Sequence, residues 1–239
     1  MIKYENISKK YGEYDALNNI SLDIEEGDFL VIIGSSGSGK TTMLKMINGL
    51  IMPNEGNLLI NGINLNQMDL IKLRREIGYV IQGNVLFPHM NVEDNISYVP
   101  RLTNASKEKI EEIVVKNMEL VNLPLELRKR MPEELSGGQQ QRVGIARGYA
   151  ASSKILLMDE PFGSVDAITR YQLQRELKEI HKKTNNTVVF ITHDINEALK
   201  LGTKVLVLDK GEIQQFGTPE EITSNPANDF VRQIIEMAK

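Results

Sequence analysis

The chain has 239 residues, no cysteine and a formal net charge of −4, with 41% apolar and 25% charged side chains. That length suits one large α/β domain or a domain carrying a subdomain, and the balance is that of an ordinary globular chain. The charge excludes a basic nucleic-acid-binding stripe, and the missing cysteines exclude disulfides and thiolate metal sites, in agreement with a cytosolic home.

The start, Met1 to Asn6, lacks the apolar core of a signal peptide. No run approaches the roughly 18–20 apolar residues of a membrane span, so any membrane part is expected from a partner. Residues 2–26 alternate and turn, with Ile20, Leu22 and Ile24 spaced by two, which predicts a β-rich N-terminal layer. Tyr11 is a candidate to stack on a nucleotide base, with Tyr14 next; an ordinary strand tyrosine is the alternative. Phe29–Ile33, apolar throughout and mostly aromatic or β-branched, reads as a buried parallel strand. It runs into Gly34, Ser35, Ser36, Gly37, Ser38, Gly39, Lys40, Thr41 and Thr42, and a helix over 42–47 follows.

Gly34 to Thr41 matches G-x-x-x-x-G-K-[ST], the P-loop pattern, in the strand–loop–helix context it requires. Glycines let backbone N–H groups converge on an anion, and the helix N-terminus adds its unpaired donors and dipole. Lys40 is placed to reach the β- and γ-phosphates of a nucleotide, and the Thr41 hydroxyl is the natural Mg²⁺ ligand. A Gly/Ser linker would not sit between a buried strand and a helix.

Met52–Gly56 reads as a turn, Asn57–Gly62 as a strand entering an Asn-Gly turn, and Ile77–Gln82 as an apolar strand ending in a polar residue. From Gly83 the character changes. Ile110, Ile113, Val114 and Met118 fall at helical spacing within 107–120, and 135–150 reads as a second long helix. We expect a helical subdomain at about 84–150 within a single domain spanning 1–239. Strands are predicted again at Ile155–Met158 and Thr187–Thr192, with helices at about 167–182 and 194–201. Residues 204–213 read as a hairpin, Thr218 to Glu221 as a capping box with Pro at the first helical position, and Phe230, Val231, Ile234 and Ile235 as one face of a last helix. Strands alternating with helices imply a largely parallel sheet with helices on its faces.

Asp159 and Glu160 follow a buried parallel strand, at the carboxyl edge where α/β proteins bind ligands. Beside a P-loop, Asp159 suits holding Mg²⁺, usually through water, and Glu160 suits polarising an attacking water. Ser136 and Gln139 form an S-x-x-Q capping box, a plain helix start. Yet Gly137 and Gly138 in its first turn each cost up to about 1 kcal/mol of helix propensity. Those costs make sense if bare backbone must approach an anion, and the chain has no phosphate of its own for this site; a nucleotide on another subunit would supply one. His193 and Gln82, each after a strand, are weak candidates alone.

The P-loop, Leu135–Gln139, Asp159-Glu160 and His193, in this order, resemble the ATPase subunit of an ABC transporter over essentially the whole chain. That resemblance implies an ATP-binding cassette: a RecA-like parallel-sheet core, an antiparallel β layer and an α-helical subdomain, with ATP and Mg²⁺ as ligands. It makes Tyr11 the adenine-stacking aromatic, Gln82 the loop glutamine that senses Mg²⁺, attacking water and membrane partner, and His193 the histidine that contacts the γ-phosphate. It assigns Ser136, Gly137, Gly138, Gln139 and Asp166 to the ATP of a second copy in a sandwich dimer. The stretches 73–82, 86–90, 95–100, 136–142, 168–170 and 225–227 are similar to the quaternary-amine (betaine, choline, carnitine) uptake branch. Expected partners are therefore a permease and a solute-binding protein or domain, with no nucleic acid, at the cytoplasmic face of the membrane. Ergothioneine or a polar amino acid is the nearer alternative solute; a non-transport ABC ATPase is the more distant one.

The sequence departs from the family pattern where Ser35 replaces a usual proline, Gly163-Ser164-Val165 precedes Asp166, and Gly148-Tyr149 stands for Ala-Leu. None removes a phosphate ligand. The chain stops near the point where many betaine-type ATPases continue into paired CBS modules, so regulation by such a tail is not expected.

Overall fold

The computed structural model describes residues 1–83, 86–151 and 154–237. In chain order these form β1 (Ile2–Tyr11), β2 (Tyr14–Ile24), β3 (Phe29–Gly34), α1 (Lys40–Ile47), β4 (Glu55–Ile60), β5 (Ile63–Asn64), α2 (Leu70–Glu76) and β6 (Ile77–Val80). Then come α3 (Val92–Leu102), α4 (Lys107–Leu120), α5 (Gly137–Ala150), β7 (Ile155–Asp159), α6 (Ala167–Thr184), β8 (Thr187–Ile191), α7 (Ile195–Leu201), β9 (Lys204–Asp209), β10 (Glu212–Gly217), α8 (Pro219–Ser224) and α9 (Asp229–Glu236). Two compact units result: Met1–Arg74 with Asn186–Lys239, and Arg75–Asn185.

The first unit holds an antiparallel sheet in the order β2-β1-β4-β5. Alternation buries Ile2 and Tyr4 of β1 and Ile20, Leu22 and Ile24 of β2, so the period-two spacing does lay down one apolar face. A bulge between Tyr4 and Ile7, with Asn6 at φ 52°, brings Ile7 to that face as well. Asn61 (φ 52°) and Gly62 (φ 78°) turn β4 into β5, the left-handed pair that suits a two-residue hairpin. The Tyr4 hydroxyl crosses from this layer to donate to the Met43 carbonyl of α1 at 2.9 Å.

In the same unit β3 is flanked in parallel by β8 and β9, with β10 antiparallel outside β9. Phe29 to Ile33 are buried to 2% or less. Fully burying such a side chain stabilises by about 1.5–3 kcal/mol, so the strand, and not the glycine-rich loop after it, fixes where that loop starts.

The second unit pairs β6 with β7 in parallel, Ile77 opposite Ile155 through Val80 opposite Met158. A Cβ on Gly78 would lie 2.4 Å from the Gly148 carbonyl oxygen of α5, so this helix closes on the strands only because position 78 is bare. The ladder ends at Val80, which leaves Ile81 and Gln82 beyond the strand into which the sequence pattern had placed them. Helices α4 and α5 form where predicted, and α5 carries the expected capping box at Ser136. The unit runs from Arg75 to Asn185 and so takes in β6, β7 and α6 as well as the helices expected at about 84–150. Asn84 and Val85, at the head of that stretch, lie outside the described residues.

Candidate nucleotide site

The phosphate loop belongs to the first unit. Gly34 (φ 153°) ends β3 where a Cβ would lie 1.8 Å from the Leu208 carbonyl oxygen of β9. Gly39 (φ 100°) precedes α1, and there a Cβ would meet the Ala16 oxygen at 2.4 Å. Both glycines are thus demanded by the fold as well as by any ligand. Helix α1 begins at Lys40, two residues earlier than its periodicity suggested, so Lys40, Thr41 and Thr42 form its first turn. The Lys40 ammonium is buried and donates to the carbonyls of Gly34 (3.0 Å) and Ser35 (2.7 Å). It therefore lies along the inside of the loop, where an entering phosphate would find it. Gly211 N donates to the Ser38 carbonyl at 3.1 Å, closing the loop on the β9–β10 turn. Ser36 and Gly37 stay exposed at the loop's crest. Ser35, in place of proline, donates through its hydroxyl to Asp209 Oδ1 at 2.6 Å, an anchor proline could not supply.

Tyr11 ends β1 directly opposite Tyr14 in β2, and both are about half exposed. The Tyr14 hydroxyl donates to the Gly37 carbonyl, so the hairpin carrying Tyr11 is tied to the phosphate loop. The Lys9 ammonium lies 5.3 Å from the centre of the Tyr11 ring. His193 is exposed just after β8, one strand from the loop; Thr192 N donates to the Ile32 carbonyl of β3 at 3.2 Å. The Thr192 hydroxyl, buried, donates to Glu197 and accepts from Asp194 N, which starts α7 immediately after the histidine.

The acidic candidates belong to the second unit. Asp159 closes β7 and is 6% exposed. Glu160, next in the chain, takes φ 43°. Holding a non-glycine residue in this left-handed region costs on the order of 1–3 kcal/mol, and such strain clusters at functional sites. Gln82 Nε2 donates to Glu160 Oε2 at 3.0 Å, so the ends of two adjacent parallel strands bring together the glutamine and the carboxylate that the sequence offers as candidates. Burial, with the Asp159 charge second, pushes the Tyr79 phenol up to about 12.

The same unit brings together the residues expected to face a second copy. The Ser136 hydroxyl accepts from Gln139 N at 3.3 Å, and Gln139 Oε1 accepts from Ser136 N at 2.9 Å. Asp166 caps α6, accepting from the amides of Ile168 (3.1 Å) and Thr169 (3.0 Å). The Thr169 hydroxyl and these amides hold the Asp166 carboxyl below its ordinary range. A Cβ on Gly138 would sit 2.7 Å from Thr169 Cγ2. Gly138 therefore has a packing reason to lack a side chain, additional to the anion argument, and that packing sets the two helix starts side by side.

The donor set fits Mg²⁺. Each candidate carries a hard oxygen of the kind Mg²⁺ takes beside phosphates and water: in the first unit the Thr41 hydroxyl, and in the second the buried Asp159 carboxylate and the amide oxygen of Gln82, whose nitrogen engages Glu160. Sequence reasoning missed the supports. Asp209 is 174 residues from Ser35 and nothing local marks the pair. Asn95, wholly buried, accepts from Phe87 N at 2.8 Å and donates to the carbonyls of Met90 (2.9 Å) and Asn91 (3.0 Å). Its helix, α3, was also missed, although Asn91 caps it and Val92 and Ile96 lie four apart on its buried side.

Among the described residues no helix is long and apolar enough to cross a membrane. The chain is 50% identical, over 98% of its length, to the glycine betaine/carnitine/choline transport ATP-binding protein OpuCA of Bacillus subtilis (strain 168), and spans 62% of that protein. It is 46% identical over 98% of its length to the glycine betaine uptake system ATP-binding protein YehX of Escherichia coli (strain K12), of which it spans 76%. The fold is similar to the dimeric post-hydrolysis structure of the ATP-binding cassette MJ0796 bound to ADP and Pi, with a TM-score of 0.81 and 36% identity over 92% of this chain and 99% of that one. The family model for ABC transporters matches residues 17–163, from the β2 segment behind the phosphate loop to the turn after Glu160, and with that match the chain belongs to the ABC transporter family.

Proposed function

We propose that this chain is the ATP-hydrolysing subunit of an importer for a small quaternary-amine solute of the betaine, choline or carnitine type. It would work as a pair of copies beneath a partner permease at the cytoplasmic face of the membrane, with a binding protein or domain delivering the solute. The observation that carries the solute class is the likeness over 98% of the chain to ATP-binding proteins of glycine betaine, carnitine and choline uptake.

In this reading the amides of Gly34–Thr42 and the Lys40 ammonium bind the β- and γ-phosphates, and Tyr11 stacks on the adenine. Thr41, Asp159 and Gln82 would hold Mg²⁺, which when bound neutralises charge on the phosphate oxygens. Glu160, held by Gln82, accepts a proton from the attacking water, and His193 contacts the γ-phosphate. Ser136, Gly137, Gly138 and Gln139, with Asp166, serve the ATP of the other copy.

The test is uptake of labelled glycine betaine, choline and carnitine by cells from which this chain is removed, with a polar amino acid as control. Loss of uptake of at least one quaternary amine, restored by the wild-type chain and not by Glu160→Gln, is expected. Unchanged quaternary-amine uptake with loss of the amino acid would replace the solute class.

A further inference from the structure

The β6–β7 pairing puts Gly78 opposite Leu156 and Tyr79 opposite Leu157. Gly78 and Val80 look toward α5, where a Cβ on Gly148 would meet Val80 Cγ2 at 3.2 Å and Leu156 Cδ1 at 2.9 Å. Side chains alternate along a strand, so Tyr79, Leu157 and then Asp159 share the opposite face. The Tyr79 hydroxyl is buried there and meets no hydrogen-bond partner among the described residues. Buried donors without acceptors are rare and costly. On that face of the β6–β7 ladder Asp159 carries a carboxylate two residues beyond the partner of Tyr79, and its charge bears on this phenol.

We propose that Tyr79 is a positioning residue for Asp159. Its phenol donates through a water to an Asp159 carboxylate oxygen, and so fixes the rotation of that carboxylate. Carboxylates that ligate metals are themselves hydrogen-bonded, and loss of such a partner commonly weakens the metal 10- to 100-fold. The two strands then deliver two matched pairs at their carboxyl ends, Tyr79 with Asp159 and Gln82 with Glu160. The inference rests on the reading that Asp159 serves Mg·ATP.

The experiment titrates Mn²⁺, detected by electron paramagnetic resonance, into the full chain with a non-hydrolysable ATP analogue. Wild type, Tyr79→Phe, Asp159→Asn and the double variant are compared. Tyr79→Phe should weaken Mn²⁺ about tenfold, while analogue affinity in EDTA and the thermal midpoint do not fall. Asp159→Asn should weaken it further, and adding Tyr79→Phe to Asp159→Asn should change nothing more. Wild-type Mn²⁺ affinity in Tyr79→Phe, with Asp159→Asn impaired, would overturn the role of Tyr79 and leave only removal of an unmet hydroxyl. Wild-type affinity in Asp159→Asn would overturn the metal assignment itself, and this inference with it.

Discussion

Lys40 illustrates how one side chain serves fold and chemistry together. Its ammonium satisfies the Gly34 and Ser35 carbonyls, so the loop is held open around a cation before any phosphate arrives. Lys40→Ala removes both the charge and the two bonds. ATP affinity measured by calorimetry should fall at least tenfold, about 1.4 kcal/mol, and unchanged affinity would remove the phosphate loop from the site. Gly39→Ala acts differently, because the new Cβ would press on the Ala16 carbonyl at φ 100°. It should lower the urea midpoint even without nucleotide, by strain on the order of 1–3 kcal/mol.

At the scale of elements, the segment Phe87 to Asn91 is built as a block and not as a loose loop. Asn95 of α3 holds its backbone. The Phe87 ring lies 4.7 Å from Tyr98 and 5.1 Å from the Arg147 guanidinium of α5. Phe87→Asp should therefore lower the thermal midpoint of the isolated chain by several degrees. A wild-type melt would show that the ring contributes nothing to packing. The caps at Ser136 and Thr218 were legible locally, each accepting a backbone amide three residues on, and such motifs need no distant partner. Helix α3 escaped because its apolar side is narrow and Pro100 in its last turn reads as a breaker.

For the whole molecule the decisive prediction concerns pairing. On the proposal that the helix start at Ser136 serves the nucleotide of another copy, a head-to-tail pair would use the same two patches twice and close on itself. Glu160→Gln should keep Mg·ATP but turn over little, and accumulate as an ATP-dependent dimer by light scattering. Adding Ser136→Arg should abolish that dimer by clash. The arginine also forfeits a cap of about 1 kcal/mol, so ATP binding and the thermal melt of the double variant serve as controls. A Glu160→Gln chain that stays monomeric at saturating ATP and high concentration would count against the sandwich.

The sequence by itself determined what depends on near neighbours. The apolar run Phe29–Ile33, the glycines and lysine after it, the Asn61-Gly62 turn and the box at Ser136 each carry their geometry in a few consecutive residues. Tertiary structure alone decided the supports: Ser35 on Asp209, Tyr14 on the Gly37 carbonyl, Gln82 on Glu160, Gly138 against Thr169. These pairs are set by strand register and helix packing, and a slip of one residue would turn every side chain of a strand to its other face. Register is chosen by burial summed over a whole sheet, and no local stretch contains that sum.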